Sequence, residues 1–192
     1  MAGSAPARSS SASRRLVGLL GALALVGACA EDTGAPTPAG TARILSVVDG
    51  DTVVVRVEGA SETVRLIGID TPETNHPTRP VECYGAEATA VATELVPPGT
   101  TVRLERDVEP RDRFGRLLAY VHRTADGLFV NLALVERGAA VANAYPPNLA
   151  RQRDLDAADR RARAAGLGLW GQCGGPGVPL DPLAPAPAGP VG

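Results

Sequence analysis

Six polar residues in this 192-residue chain have the chemistry and the spacing to act together: Asp49, Asp51, Arg65, Asp70, Glu73 and Arg116. Asp49 and Asp51 flank Gly50 in the run DGDT, and Asp70 and Glu73 enclose Thr71 and Pro72 in DTPE. Aspartate oxygens are hard, anionic ligands that suit Ca2+ far better than a soft metal. Asp49, two residues from Asp51, can support such an ion through a water. Glu73 follows a turn fixed by Pro72 and can accept a proton from an attacking water. Arg65 and Arg116 carry planar, permanently charged forks that match phosphate oxygens. A phosphodiester resists hydrolysis largely through its own negative charge. A site that cleaves one must therefore neutralise the further charge that builds up in the transition state.

Asp51 and Asp70 are 19 residues apart, and the chain between them explains how they meet. TVVVRV (52–57) and TVRLIGI (63–69) are β-branched runs around EGAS (58–61), the pattern of an antiparallel hairpin. A turn centred on Ala60 and Ser61 sets Asp51 directly opposite Asp70, at about 5 Å. Two carboxylates that close repel unless a cation lies between them. Strict alternation puts Arg65 on the face of Ile67 and Ile69 and puts Asp70 on the other. A bulge or a strand end must therefore fall between Arg65 and Asp70 if both serve one site.

The remaining elements form a small α+β domain over residues 41–173. RILSVV (43–48) precedes the hairpin as a strand, and TVRLE (101–105) and RLLAYVHR (116–123) supply two more. Helices are expected over 82–95, 130–137 and 149–165. The first carries a stripe of Tyr84, Ala88, Val91 and Leu95 at helical spacing. The third carries a stripe of Leu155, Ala158, Ala162 and Ala165, with Asn148 as its N-cap and Gly166 as its stop. Five strands interleaved with helices in so short a domain suggest a closed or partly open β-barrel, with the five-stranded OB-fold the nearest common form. The tail over 174–192, rich in Pro, Gly and Ala, is expected to be disordered.

Residues 1–28 read as a signal peptide: Arg8, Arg14 and Arg15 lead a 13-residue apolar run, Leu16 to Ala28, too short to span a bilayer. VGAC at Val26 to Cys29 resembles a bacterial lipobox, which implies a lipid on Cys29 and a membrane anchor by that lipid only. An ordinary signal peptide with an incidental cysteine is the other reading, and Sec and twin-arginine export both stay open. Residues 29–40 form a Pro/Gly/Thr linker that holds the domain off the membrane. Without the signal, 16 arginines face 21 acids, a net charge of −5, and lysine is absent altogether. That balance argues against nucleic-acid binding by bulk charge and for a few placed arginines. Once Cys29 is set aside, Cys83 and Cys173 remain, and an even pair in an exported protein is most simply a disulfide. Closing a loop of about 90 residues contributes about 4 kcal/mol in the loop-entropy account.

VVDGDTVVV (47–55), VRLIGIDTPETNHP (64–77), VECYGAEA (81–88), DRFGRLLAYV (112–121), VNLALVERGAA (130–140) and LGLW (167–170) together resemble the staphylococcal nuclease family. The resemblance covers Ile44 to Trp170, and DGDT, R-x4-DTPE and D-x2-GR occur in order. It implies an OB-fold and Ca2+-dependent hydrolysis of DNA and RNA by what is expected to be a monomer. Asp51, Asp70 and the Thr71 carbonyl would bind Ca2+, Asp49 would act through water, and Arg65, Glu73 and Arg116 would be catalytic. At the periphery the resemblance places Arg79, Arg113, Phe114 and Tyr145 against substrate. Asn143 stands where the family carries the first of two tyrosines, and Pro146 where a basic residue can contact phosphate.

Each motif has a plainer account in isolation. DGDT can be an Asx turn entering a strand, DTPE a strand exit, Arg116 a solvated loop arginine. His76 reads as a loop residue, His122 as structural, and Trp170 as packed on the domain. The alternative function is a catalytically weak nucleic-acid-binding module on the same fold, which predicts losses among the carboxylates, arginines or glutamate. A lipoprotein whose barrel holds an unrelated ligand is a third.

Overall fold

The computed structural model describes residues 40–74, 78 and 80–180. The expected signal peptide, Cys29, the linker as far as residue 39, His76 and Arg79 lie outside the described residues. β1 (Thr41–Asp49), β2 (Thr52–Val57) and β3 (Ala60–Leu66) run antiparallel in succession, and a short β4 (Gly68–Asp70) follows at once. After α1 (Gly85–Leu95) come β5 (Thr101–Glu105) and β6 (Leu117–Arg123). Then follow α2 (Val130–Glu136), β7 (Val141–Asn143), α3 (Gln152–Ala164) and a single turn, α4 (Leu169–Gln172). Five strands close a barrel in the order β1-β2-β3-β6-β5, while β4 and β7 pair separately. The fold is the expected α+β OB-fold barrel with three helices, plus α4. Among the described residues no helix is long and apolar enough to cross a membrane.

Alternation along the β-branched strands fills the barrel: Val53, Val55 and Val64 are each at most 1 % exposed. The hairpin register differs from the expected one. Thr52 pairs with Arg65 and Val57 with Ala60, so the turn falls on Glu58 and Gly59, two residues earlier than Ala60 and Ser61. Glu58 and Gly59 have φ of 51° and 84°, as a two-residue type I′ turn requires, and glycine takes such a φ without cost. Asp51 therefore stands beside Leu66, whose N–H donates to the Asp51 carbonyl at 2.8 Å, and not opposite Asp70.

Asn131, wholly buried on α2, locks the barrel end that carries β4. Its Oδ1 accepts from Val121 N–H at 2.9 Å and its Nδ2 donates to the Ile67 carbonyl at 2.9 Å. Asn131→Leu leaves both backbone groups buried without partners, each at about 1–3 kcal/mol. Urea unfolding of that variant is expected to show a loss of about 2–4 kcal/mol with an unchanged slope.

α3 begins at Gln152 and not at Leu149, and Asn148 is not its cap. Asn148 instead turns its side chain to residue 109, accepting from Glu109 N–H at 2.8 Å and donating to the Glu109 carbonyl at 3.1 Å. The amides leading into the helix are met from across the fold: Ala150 N–H donates to Asp107 Oδ2 at 2.9 Å, and Arg151 N–H to the Tyr120 hydroxyl at 3.3 Å. Burial, with Asp107 beside it, pushes the Tyr120 hydroxyl up to about 12. Leu155, Ala158 and Ala162 are buried as expected, but Ala165 is exposed because the helix ends at Ala164. α1 likewise starts at Gly85, since Glu82 is engaged in a β-bridge with Pro179.

That bridge also corrects the start of the tail. The chain stays paired with the domain as far as Leu180: Cys83 N–H donates to the Val178 carbonyl at 2.7 Å and Leu180 N–H to the Val81 carbonyl at 2.9 Å. Residues 181–192 lie outside the described residues. Cys83 and Cys173 are joined in a disulfide, with Cα atoms 6.0 Å apart.

Glu105 centres an ion network on the barrel wall, accepting from Arg151 Nε at 2.9 Å. His122 Nε2 lies 3.1 Å from Glu105 Oε2 without the alignment of a hydrogen bond, and its ring stacks on Phe129 at 4.7 Å. Burial pushes the Glu105 carboxyl up, but Arg151 more than offsets this and holds it below the usual glutamate range. A lowered carboxylate contributes stability above its unfolded value, near pH 4, and loses it as pH falls through the folded one. Burial also lowers His122, so its protonation in acid opposes folding in the same direction. Thermal melts between pH 7 and pH 3 are expected to fall less steeply for Glu105→Gln than for the parent protein.

Candidate active site

Chain reversal after β3 assembles the site. β3 ends at Leu66, Ile67 N–H donates to the Ala119 carbonyl at 3.1 Å, and Gly68 turns the backbone with a φ of +79°. A Cβ at Gly68 would stand 2.6 Å from Leu155 Cδ1, so close packing against α3 also demands glycine. β4 then pairs with β7, Asp70 facing Val141 and Gly68 facing Asn143. The break at Gly68 removes the conflict of faces between Arg65 and Asp70. Beyond β4 the DTPE segment folds against the DGDT turn, with Thr71 N–H and Thr71 Oγ1 each donating to Asp51 Oδ2 at 3.0 Å. Gly50 permits this approach, since a Cβ there would lie 2.7 Å from Thr71 Cγ2.

Arg65 spans the two carboxylates. Its Nη1 lies 3.1 Å from Asp51 Oδ2 and donates to the Leu66 carbonyl at 2.7 Å, while Nη2 donates to Asp70 Oδ1 at 2.9 Å. Asp51 is 6 % exposed and also accepts from Thr52 Oγ1 at 3.1 Å, and its own N–H donates to Asp49 Oδ1 at 3.1 Å. Burial, and next the charge of Asp51, push the Asp49 carboxyl up. Asp51 and Asp70 thus both meet the guanidinium of Arg65, and its charge also reaches Asp49.

Among the described residues no three His, Cys, Asp or Glu side chains converge as a ready-made metal cluster. Two carboxylates that one guanidinium can bridge are close enough for one cation, and every donor is a hard oxygen. The donor set fits Ca2+ provided that the Thr71 carbonyl, water and substrate supply the other positions. It does not fit zinc, which favours nitrogen and sulfur.

Arg116 enters from the loop before β6. Its Nε donates to Asp112 Oδ2 at 2.7 Å, and Asp112 Oδ1 accepts from the N–H groups of Phe114 (2.9 Å) and Arg116 (3.0 Å). Burial raises the Asp112 carboxyl, but Arg116 and the two amides outweigh it and the net shift is downward. With Nε anchored, both Nη atoms of Arg116 carry no hydrogen bond among the described residues. Phe114 is 69 % exposed, with the guanidinium carbons of Arg113 and Arg116 at 4.7 and 5.7 Å from its ring centroid.

Glu73 is held through its backbone. Its N–H donates to Glu82 Oε2 at 3.2 Å, its carbonyl accepts from Glu82 N–H at 2.8 Å, and its Oε1 accepts from Thr74 N–H at 3.1 Å.

Two adjoining cavities, each about 540 Å³, make one cleft. The first is lined by Asp49, Asp51, Arg65, Asp70, Thr71, Glu73, Arg113, Phe114 and Arg116. The second shares Arg65, Asp70, Arg113 and Arg116 and extends past Asn143 to Tyr145 and Pro146. Tyr145 is 70 % exposed, and its hydroxyl accepts from Asn143 Nδ2 at 3.3 Å. All the expected site residues of the domain thus meet, apart from Arg79, which is not described. Asp112 and Glu82 were missed as supports. Asp112 stood in plain sight as the first letter of D-x2-GR, whereas nothing near Glu82 in the sequence marks it.

Residues 63–172 match the family model described as "Staphylococcal nuclease homologue". Thermonuclease of Staphylococcus intermedius is 43 % identical over 124 residues, covering 65 % of this chain and 72 % of its own. Thermonuclease of Staphylococcus hyicus is 38 % identical over 130 residues, with 68 % and 75 % covered. Endonuclease YncB of Bacillus subtilis (strain 168) is 39 % identical over 129 residues, with 66 % and 60 % covered.

Proposed function

We propose, since this chain belongs to the staphylococcal nuclease family, that it is a Ca2+-dependent nuclease hydrolysing phosphodiester bonds of DNA and RNA outside the cytoplasm. The observation that carries this is the guanidinium of Arg65 clasping Asp51 and Asp70 while Arg116, anchored through Nε, lines the same cleft with two Nη atoms that carry no hydrogen bond among the described residues. Asp51, Asp70 and the Thr71 carbonyl hold the ion, and Asp49 supports it through water. When bound, Ca2+ supplies positive charge beside the scissile phosphate and a hard site for water.

The protein's own groups do the rest. Arg65 and Arg116 place forked donors on the non-bridging oxygens, where charge grows as water adds to phosphorus. Asp112 fixes the Arg116 fork before substrate arrives, so little ordering remains to be done at the moment of reaction. Glu73 takes the proton of the attacking water. Phe114 and Tyr145, exposed at the two ends of the cleft, offer faces on which bases stack, and Arg113 and Arg79 steady the flanking phosphates. Export follows from the signal over residues 1–28, and the disulfide suits an oxidising compartment. Lipidation of Cys29 anchors a monomer to the membrane.

Acid-soluble nucleotide release from DNA and RNA tests this reading. Release is expected with Ca2+, to stop with a chelator and to return when Ca2+ is restored. A wild-type protein that binds single-stranded DNA in Ca2+ yet releases nothing supports the binding module instead.

A further inference from the structure

The segment that holds Glu73 is tied to the far end of the chain by a covalent bond. Glu82 touches Glu73 twice, through its Oε2 (3.2 Å to Glu73 N) and its own N–H (2.8 Å to Glu73 O). The next residue, Cys83, is bonded to Cys173 just beyond α4. Around this bond Val81–Cys83 pair with Val178–Leu180 through two backbone hydrogen bonds and the Glu82–Pro179 bridge. At the start of α1, Gly85 lies so near the same loop that a Cβ would be 2.9 Å from the Glu73 carbonyl. Glu73 therefore rests on a short two-stranded clasp that the disulfide fastens covalently. So small a pair is marginal in water by itself.

We propose that Glu82 is a positioning residue for Glu73, and that the Cys83–Cys173 bond makes this positioning, and with it turnover, dependent on oxidation. The proposal rests on the nuclease reading above, in which Glu73 is the base. Both cysteines are only half-buried, so a dithiol reaches them. Its thiolate attacks one Sγ, the Cys83–Cys173 bond breaks, and a mixed disulfide forms. The reagent's second thiol then closes its own disulfide, and two electrons and two protons end on Cys83 and Cys173 as thiols. Freed, residues 174–180 no longer brace Val81–Cys83, and the Glu82 contacts that set Glu73 loosen. The barrel keeps its strands, because none of the five includes this clasp. Such a device keeps the enzyme weak in a reducing compartment and activates it on export.

The test compares the full oxidised protein, the same protein treated with dithiothreitol, and Cys83→Ser/Cys173→Ser. Turnover on single-stranded DNA with Ca2+ is read beside amide hydrogen exchange. On reduction kcat is expected to fall by about 10–10²-fold with KM within about twofold, as displacement of a reacting group by an ångström does. The double variant is expected to stay at the low level with or without dithiol. Exchange is expected to quicken at residues 71–74 and 81–85 while β2 and β3 stay protected. Glu82→Ala is expected to lower kcat likewise, and Glu82→Gln, which keeps an acceptor for Glu73 N–H, to restore most of it. Equal kcat in oxidised and reduced protein, or loss of protection across the whole barrel, overturns the proposal. If the oxidised protein cleaves nothing, the nuclease reading fails separately. Exchange at residues 71–74 then decides alone: faster on reduction supports the clasp, unchanged refutes it.

Discussion

Arg65→Ala is expected to lower kcat for DNA hydrolysis by about 10²–10³-fold, the loss measured when one preorganised donor to a developing oxyanion is removed. The same change is expected to leave Ca2+ affinity undiminished or to raise it. Arg65 is itself a cation seated between Asp51 Oδ2 and Asp70 Oδ1, at 3.1 and 2.9 Å, so it would compete with the proposed ion for the same oxygens. With the guanidinium gone, the two carboxylates lose a shared cation, and Ca2+ would take over the charge that Arg65 supplied. Calorimetric titration with Ca2+ and steady-state kinetics on one preparation check both halves. A parallel fall in Ca2+ affinity and kcat would mean that Arg65 builds the metal site and does not act on the phosphate.

Asp51→Asn is expected to be the more damaging change, costing about 10³-fold or more in turnover and weakening Ca2+ binding at the same time. Asp51 is the buried hub: Thr71 N–H, Thr71 Oγ1, Thr52 Oγ1 and Arg65 all converge on its carboxylate. Asparagine keeps the shape and one oxygen acceptor but loses the charge. The fold survives, since Thr71 still finds an acceptor and Asp49 is relieved of the neighbouring charge that helps push its carboxyl up. Far-UV circular dichroism like that of the parent, together with lost Ca2+ binding and lost hydrolysis, is the expected pattern. Retained hydrolysis would remove Asp51 from the metal site.

That the polar constellation meets in one cleft was legible in the sequence because its members stand in short motifs. DGDT and DTPE each carry acids on turns, and D-x2-GR carries its arginine two residues after a phenylalanine that reaches solvent. The hairpin itself was legible from β-branched runs, but its register was not. Glu58 and Gly59 take the tight turn because glycine accepts positive φ, and Asp51 moves opposite Leu66 as a result. What brings Asp70 back is the reversal at Gly68, packed against Leu155 from a helix 87 residues later. No local pattern announces so distant a contact. The same holds for α3, whose first amides are met by Asp107 and the Tyr120 hydroxyl and not by the nearby Asn148. Capping from across a fold leaves no spacing to read. The Cys83–Cys173 pairing was legible by counting, whereas its position beneath Glu73 was not, because Glu82 lies nine residues further along the chain with no motif to mark it.

Digestion of single-stranded DNA by the protein and by Asp70→Ala, each with saturating Ca2+ and with chelator, decides whether Asp51 and Asp70 hold a Ca2+ ion that hydrolysis needs. Asp70 is half-exposed at the cleft, so its loss is expected to spare the fold while removing one of the two acids proposed to grip the ion. The expected result is Ca2+-dependent release of nucleotides by the parent and release lower by orders of magnitude for Asp70→Ala. Hydrolysis that persists in chelator, or that is equal for the two proteins, would contradict it.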